Sequence, residues 1–278
     1  MHGLGRLPFK PDPRDYPVER LKRMVAAGAA VPLQWSVPRI LDQGDNGTCV
    51  AAGILGALDC DDATHTDPGF TSADIVPFFL TIAGHGDLPD GGAEVREGLK
   101  AAQKAGYITG AYALLKTWAE MQDWLEHYGP IVTGEDWYSG MDTPDAKGFV
   151  TVGGTYRGGH CTYGNGDVAG LDEVNSWTVD YGDGGHFYFA PTEISRLMNG
   201  DFEAWAIVQA APAPPVPPVP VPTPNPTPTP VPPTPTPVPP PDVKGCLTSI
   251  FGLLSAYKGN AKKVKQARQL VSDLIGRL

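Results

Sequence analysis

Three residues have the types that nucleophilic catalysis needs, a thiol, a base and an amide to orient the base: Cys49, His160 and Asn175. Cys49 closes a polar, turn-forming run (Asp42 to Thr48) and opens the apolar, small-residue run CVAAGILGALD. That change of pattern predicts a helix over 49–59 with the thiol in its first turn. Unpaired backbone N–H groups and the helix dipole favour an anion there, and the thiolate is the nucleophilic form of cysteine. Ala51, Ala52, Gly53, Gly56 and Ala57 allow close approach from several sides, so the helix is expected to be central and buried, its N-terminus facing a cleft. Taken alone, Cys49 reads as an ordinary buried thiol. A thiolate nucleophile needs a general base, and the base needs an orienting partner. His160 follows Gly158-Gly159, glycines that let backbone or substrate come close, and Asn175 precedes Ser176-Trp177.

The wording around these residues resembles the papain-like cysteine proteases. That family carries Q-G-x-x-G-S-C-W at its nucleophile, matched here by Gln43-Gly44-Asp45-Asn46-Gly47-Thr48-Cys49-Val50. Its histidine follows Gly or Asp, as His160 follows Gly159, and its N-S-W-G-x-x-W-G motif is matched by Asn175-Ser176-Trp177-Thr178-Val179-Asp180-Tyr181-Gly182. DGGAEVREGLKAAQKAGYI, GPIVTGEDWYSG and GGHFYFAPTEI resemble further landmarks, so the likeness runs from about Phe9 to Ala210. The resemblance implies a Cys49 thiolate paired with a His160 imidazolium, whose ring Asn175 holds in plane under the cover of Trp177. It implies an oxyanion bound by the Gln43 side-chain amide and the Cys49 backbone N–H, and a substrate backbone held along Gly91 and Gly92 and passing close to Gly159. The implied substrate is a polypeptide, and neither a metal nor an organic cofactor is needed.

Several positions depart from the pattern. Asn46 stands where many secreted relatives have a cysteine, so their disulfide cannot form there, which fits a reducing compartment. Val50, Thr178 and Tyr181 replace an aromatic, a glycine and a tryptophan. His160 and Asn175 follow Cys49 by 111 and 126 residues, which implies trimmed loops. Cys161, next to His160, is expected to point to the opposite face of its strand. About 40 residues precede Gln43, and LPFKPDPRDYP is expected to run over the domain surface as a strap rather than plug the cleft, leaving the enzyme active once folded.

The elements that must position these residues divide the chain in two. Helices are expected over 49–59, 72–84, 93–105 and 118–128, and strands over 130–135, 148–156, 160–171, 175–179, 185–191 and 204–209. Helices followed by strands predict an α+β fold, and the resemblance sharpens this to a helical lobe and an antiparallel sheet or barrel lobe with the site between them. This domain is expected over 1–211. Residues 212–241 are almost all proline, valine and threonine, a polyproline spacer that could reach roughly 90 Å. Residues 242–278 carry two apolar stripes at helical spacing around Gly259-Asn260, a helical hairpin expected to dock a protein partner or self-associate.

Charge narrows the function classes. Of 21 Lys/Arg and 31 Asp/Glu, the segment from Asp242 holds seven and two, leaving the rest with 14 and 29. So acidic a main domain disfavours nucleic-acid binding, since phosphate contacts need a basic face. The four cysteines (Cys49, Cys60, Cys161, Cys246) are too scattered for a disulfide framework and form no CxxC pair. The first residues lack the apolar core of a signal peptide, and no run is long enough to span a membrane, so a cytoplasmic protein is expected, virion-associated or released on lysis if the source is a phage or bacterium. Two other functions stay open: a lysin that cuts peptidoglycan cross-bridges with the same residues, and a catalytically silent module that holds peptides.

Overall fold

A computed structural model describes residues 3–23, 34–60, 68–168 and 170–209. The chain divides into two units, Met1–Pro217 and Pro218–Leu278, and every described residue belongs to the first. The expected tether (212–241) and helical tail (242–278) lie outside the described residues. In chain order the elements are α1 (Val18–Lys22), α2 (Cys49–Asp59), α3 (Ser72–Phe79), α4 (Val95–Lys104), β1 (Ile108–Leu115), α5 (Trp118–His127), β2 (Ile131–Tyr138), β3 (Tyr156–Gly166), β4 (Leu171–Val174), β5 (His186–Phe189), α6 (Pro191–Met198) and β6 (Glu203–Gln209). The strands form one open antiparallel sheet in the order β1-β6-β2-β3-β4-β5.

Two hydrophobic cores lie on the two faces of this sheet. On one face α2, α3 and α4 pack with Val132, Cys161, Tyr163, Val174, Trp205 and Ile207. On the other, α5 and α6 pack with Ile131, Leu171, Ala204, Ala206, Trp137 and Phe187. Consecutive strand residues such as Ile131 and Val132 therefore serve opposite cores, as the two-residue period of a strand requires. Every residue of α2 is buried. Ile54, Leu55 and Leu58 each contribute about 1.5–3 kcal/mol by leaving water. The helix can lie this close to β3 because Gly53 lacks a side chain: a Cβ there would sit 2.9 Å from Cys161 Sγ and 3.0 Å from the Thr162 carbonyl oxygen. Helices α3 and α5 open on capping boxes, Thr71 with Asp74 and Thr117 with Glu120, each closing two unpaired donors.

The structure differs from the sequence expectation at several elements. The helix expected over 72–84 ends at Phe79, where the Thr81 hydroxyl and N–H both bond the Phe78 carbonyl and turn the chain away. No strand forms over 148–156 before Tyr156, because Asp145 Oδ1 accepts from the N–H groups of Lys147 and Phe149 and folds that stretch into a turn. The run 160–171 is two strands, β3 ending at Gly166 and β4 starting at Leu171. Residues 175–179 form no strand but a turn held by a single bridge from Trp177 to Asp42. Strand β1, inside the supposedly helical half, pairs with β6, and Pro191 opens α6 instead of closing a strand, in keeping with its fixed φ and missing N–H.

Candidate active site

The thiol of Cys49 lies in the first turn of α2, and Thr48 ahead of it makes no side-chain cap bond. His160 lies on β3, directly opposite Glu135 of β2. Cys161 packs into the α2 core, while the His160 ring stacks on Trp177 at 4.7 Å and meets the edge of Trp137 at 4.8 Å. The Cys161 backbone N–H interacts with the Cys49 sulfur, which brings the start of α2 against the strand residue next to His160. His160 Nε2 is 2.9 Å from Asn175 Oδ1. That same oxygen accepts the Ser176 N–H at 2.8 Å, so it must be the amide oxygen, and His160 Nε2 must carry the hydrogen. The other ring nitrogen, Nδ1, is thereby the acceptor of the neutral ring.

Gln43 is fixed at both ends of its amide. Its Oε1 accepts the Ser176 hydroxyl at 2.6 Å, and its Nε2 donates to the carbonyls of Asn46 at 2.8 Å and Gly3 at 2.9 Å. Gln43, Ser176, Asn175, His160 and Trp177 are thus joined in one buried chain of contacts, and Cys49 is buried at the start of α2. Gly159 and Gly92 face the groove: a Cβ on Gly159 would lie 2.3 Å from the Arg6 carbonyl oxygen, and one on Gly92 2.2 Å from that of Gly5. Gly91 instead backs the turn before Cys49, its carbonyl 1.9 Å from where a Gly47 Cβ would stand. The backbone bonds expected of the glycine pair are made by the next residue, Ala93, because the Gly92 carbonyl is taken by the Gly86 N–H at 2.8 Å.

The groove is filled by the chain's own N-terminal segment. Gly5 and Arg6 donate their N–H groups to the Gly159 carbonyl at 3.1 and 3.0 Å, Ala93 N–H donates to Gly5 at 2.8 Å, and Leu7 N–H donates to Ala93 at 2.9 Å. The strap expected over residues 7–17 does run along the domain, but the cleft ahead of it is not left open. Phe9 packs on Trp205 and Pro17 bridges Leu114 along the domain, yet Gly3 to Leu7 do cross the cleft. The glycines at 3 and 5 explain this, since only a backbone without Cβ fits so tightly: added Cβ atoms would meet the carbonyl oxygens of Asn46 and Gly47 at 2.0 and 2.1 Å.

This cover changes the electrostatics. Burial pushes the Cys49 thiol up to about 12, against the backbone N–H groups of Cys161, Gly5 and Val50, which pull the other way. Burial thus works against the ionised thiol expected from the helix start, outweighing the backbone donors around the sulfur. Glu135 and Glu173, buried beneath the strand, are also raised, chiefly by burial. Among the described residues no group of three or more His, Cys, Asp or Glu could hold a metal ion, and no helix is long and apolar enough to cross a membrane.

No family model matches the chain, and no curated protein matches it. Among solved structures it is similar to xylellain, a cysteine protease from Xylella fastidiosa, at 18% identity over 75% of this chain and 96% of that one, with a TM-score of 0.55. Digestive procathepsin L2 proteinase from Tenebrio molitor larval midgut matches at 15% identity over 74% and 78%, with a TM-score of 0.49. The fold is papain-like.

Within the papain-like fold, sequence reasoning missed Ala93, Ser176 and the groove-filling Gly3–Leu7. Ser176 was visible inside the N-S-W motif as the hydroxyl beside Asn175, but only the fold reveals that it serves Gln43. The two glycines at positions 3 and 5 were the available signal for a segment able to lie flat in a cleft.

Proposed function

We propose that the chain is a cysteine peptidase and that this structure is its closed form. The observation that carries this reading is the His160 Nε2–Asn175 Oδ1 bond beside a helix-start thiol, with Gln43 Nε2 already donating to a peptide carbonyl. When Gly3–Leu7 gives way to a substrate, water and the imidazole reach Cys49, and the thiol passes its proton to His160 Nδ1. The sulfur then bonds the scissile carbonyl carbon, whose oxygen gains negative charge and is held by Gln43 Nε2 and the Cys49 N–H, each such donor worth about 3–4 kcal/mol. Collapse breaks the C–N bond, and the leaving amine takes the proton from His160. Water, deprotonated by the same ring, hydrolyses the thioester. Asn175 keeps the ring's Nε2–H engaged, so Nδ1 stays the working nitrogen.

Labelling of the full chain with a peptidyl epoxide tests this. Cys49 alone should be alkylated, at a rate that falls about a thousandfold or more in His160→Ala. Labelling of Cys60 or Cys161 at the same rate as Cys49, or a rate indifferent to His160, would remove the assignment.

A further inference from the structure

The segment that fills the groove also shows what one of its side pockets accepts. Arg6 sits between the Gly159 carbonyl on one wall and Ala93 on the other, at the centre of the peptide's hydrogen bonds. Its side chain is fully buried. Asp201 takes the guanidinium through Nη2 at 3.0 Å and Nη1 at 3.2 Å, and Glu203 Oε1 lies 3.2 Å from Nε. Glu203 is itself almost wholly buried and is braced by the Trp205 indole N–H on its other oxygen at 2.7 Å. Room for the guanidinium comes from Gly134, opposite Glu203 in the β2–β6 pairing, where a Cβ would stand 2.8 Å from Arg6 Nε. The nearby Arg96 does not replace this cation. Its guanidinium is held by Asp15 at 2.9 and 2.7 Å and lies over the Phe9 and Trp205 rings. Once Gly3–Leu7 leaves the groove, two carboxylates remain around a cation-shaped space, and a buried carboxylate without its partner is costly.

We propose that Asp201, Glu203 and Gly134 form a specificity pocket that takes an arginine side chain of the peptide lying in the groove, with Arg6 as its resident occupant in the closed form. The proposal rests on the peptidase reading of the cleft. It defines the substrate class as polypeptides carrying an arginine near the cut, fixed by two charge-assisted contacts of fork geometry that a lysine matches less well.

The test uses the full chain carrying Cys49→Ala, so that nothing is turned over, and Arg6→Ala, so that the pocket is vacated. Fluorescent peptides that differ only in arginine against citrulline, its uncharged isostere, are compared by anisotropy at each position. The arginine peptide should bind about tenfold or more tightly at one position, and Glu203→Gln or Asp201→Asn should bring the pair within about twofold. Equal affinity of the twins, including no binding of either, overturns the proposal, as does a preference that survives both substitutions. If Arg6→Ala lowers stability too far for binding work, ethylguanidinium should raise its Tm and leave that of the parent unchanged, and no rise overturns the proposal. The peptidase reading fails separately. Arginine preference without epoxide labelling of a chain that keeps Cys49 would sink that reading and spare the pocket, whereas labelling without arginine preference would do the reverse.

Discussion

On the strand wall of the groove, His160, Asn175 and the Ser176 N–H bond one another under Trp177, whereas on the helix wall Gln43 Nε2 and the Cys49 thiol meet Gly3 and Gly5 of the N-terminal segment. The strand wall is completed by residues 160–177, so the fold alone sets it. The helix wall is completed by a piece of the N-terminal segment, which on the proposed reading a substrate would displace. Preorganised donors cost nothing at the moment of reaction, while covered ones respond to whatever moves the cover. On the proposed peptidase reading, this difference would put control of the site on the helix side and the geometry of the base on the strand side.

Gly5→Val should break the comparison most. Its side chain would drive into the Gly47 carbonyl and lift Gly3–Leu7 away, freeing the Gly159 carbonyl but leaving the His160–Asn175 bond in place. Losing two of the five backbone bonds that hold the segment, at about 1 kcal/mol each, raises the open population about thirtyfold. Epoxide labelling of Cys49 should speed up by about that factor. Its pH profile should also move down from the high value of the buried thiol, because water and the helix dipole then reach the sulfur. Faster labelling with the pH profile unmoved would mean that something other than the segment buries the thiol.

Beneath the strand wall, Glu173 sharpens the contrast. Its Oε2 receives the hydroxyls of Thr133 at 2.8 Å and Thr162 at 2.7 Å, and Thr162 also lies 3.1 Å from Glu135. Two hydroxyl hydrogens cannot serve all these oxygens, and burial drives the Glu173 carboxyl up to about 8. An unfolded glutamic acid releases its proton near 4.5, so between those values the folded state holds a proton that the unfolded state has lost. Stability therefore falls as pH rises from about 4.5 to about 8, by at most about 1.4 kcal/mol per pH unit for this group, and is flat in this group above 8. Glu173→Gln should flatten that part of the curve in denaturant melts, with Glu135 keeping a residue of the slope in the same direction. An unchanged curve would mean that Glu173 is ionised in the fold.

The legible parts were those written in local pattern. The switch from polar turn to small apolar run marks the bounds of helix 49–59, and the motif at Asn175 names the amide that does bond His160. What stayed hidden depends on partners far away in sequence. Strand β1 reads ITGAYALL, with little alternation, and is a strand because β6, some 90 residues on, lies beside it. The segment 148–156 looks like a strand by its valines and tyrosine, but side-chain bonds from Asp145 decide otherwise. That the cleft at Cys49 is covered could not be read from its neighbours, since the groove is filled from residues 3–7, and no local window contains both.

The smallest expected effect tests whether the strand wall is strained. Thr178, which stands where the resembling motif has glycine, is the one non-glycine residue with positive φ among the described residues, at 69°. A β-branched side chain there costs about 1–2 kcal/mol, while glycine gives back about 0.5–1 kcal/mol through its freer unfolded chain. The Thr178 hydroxyl accepts only the exposed Asp180 N–H at 3.2 Å, which adds little. Thr178→Gly should then stabilise the domain by about 0.5–1 kcal/mol in denaturant melts and leave Cys49 labelling in the Gly5→Val chain within twofold. Thr178 directly follows Trp177, so a gain in stability joined to a loss of labelling would show that the strain at 178 is what presses the indole over the His160–Asn175 bond. The strand wall would then also need to be held in place, and the contrast with the helix wall would be one of degree.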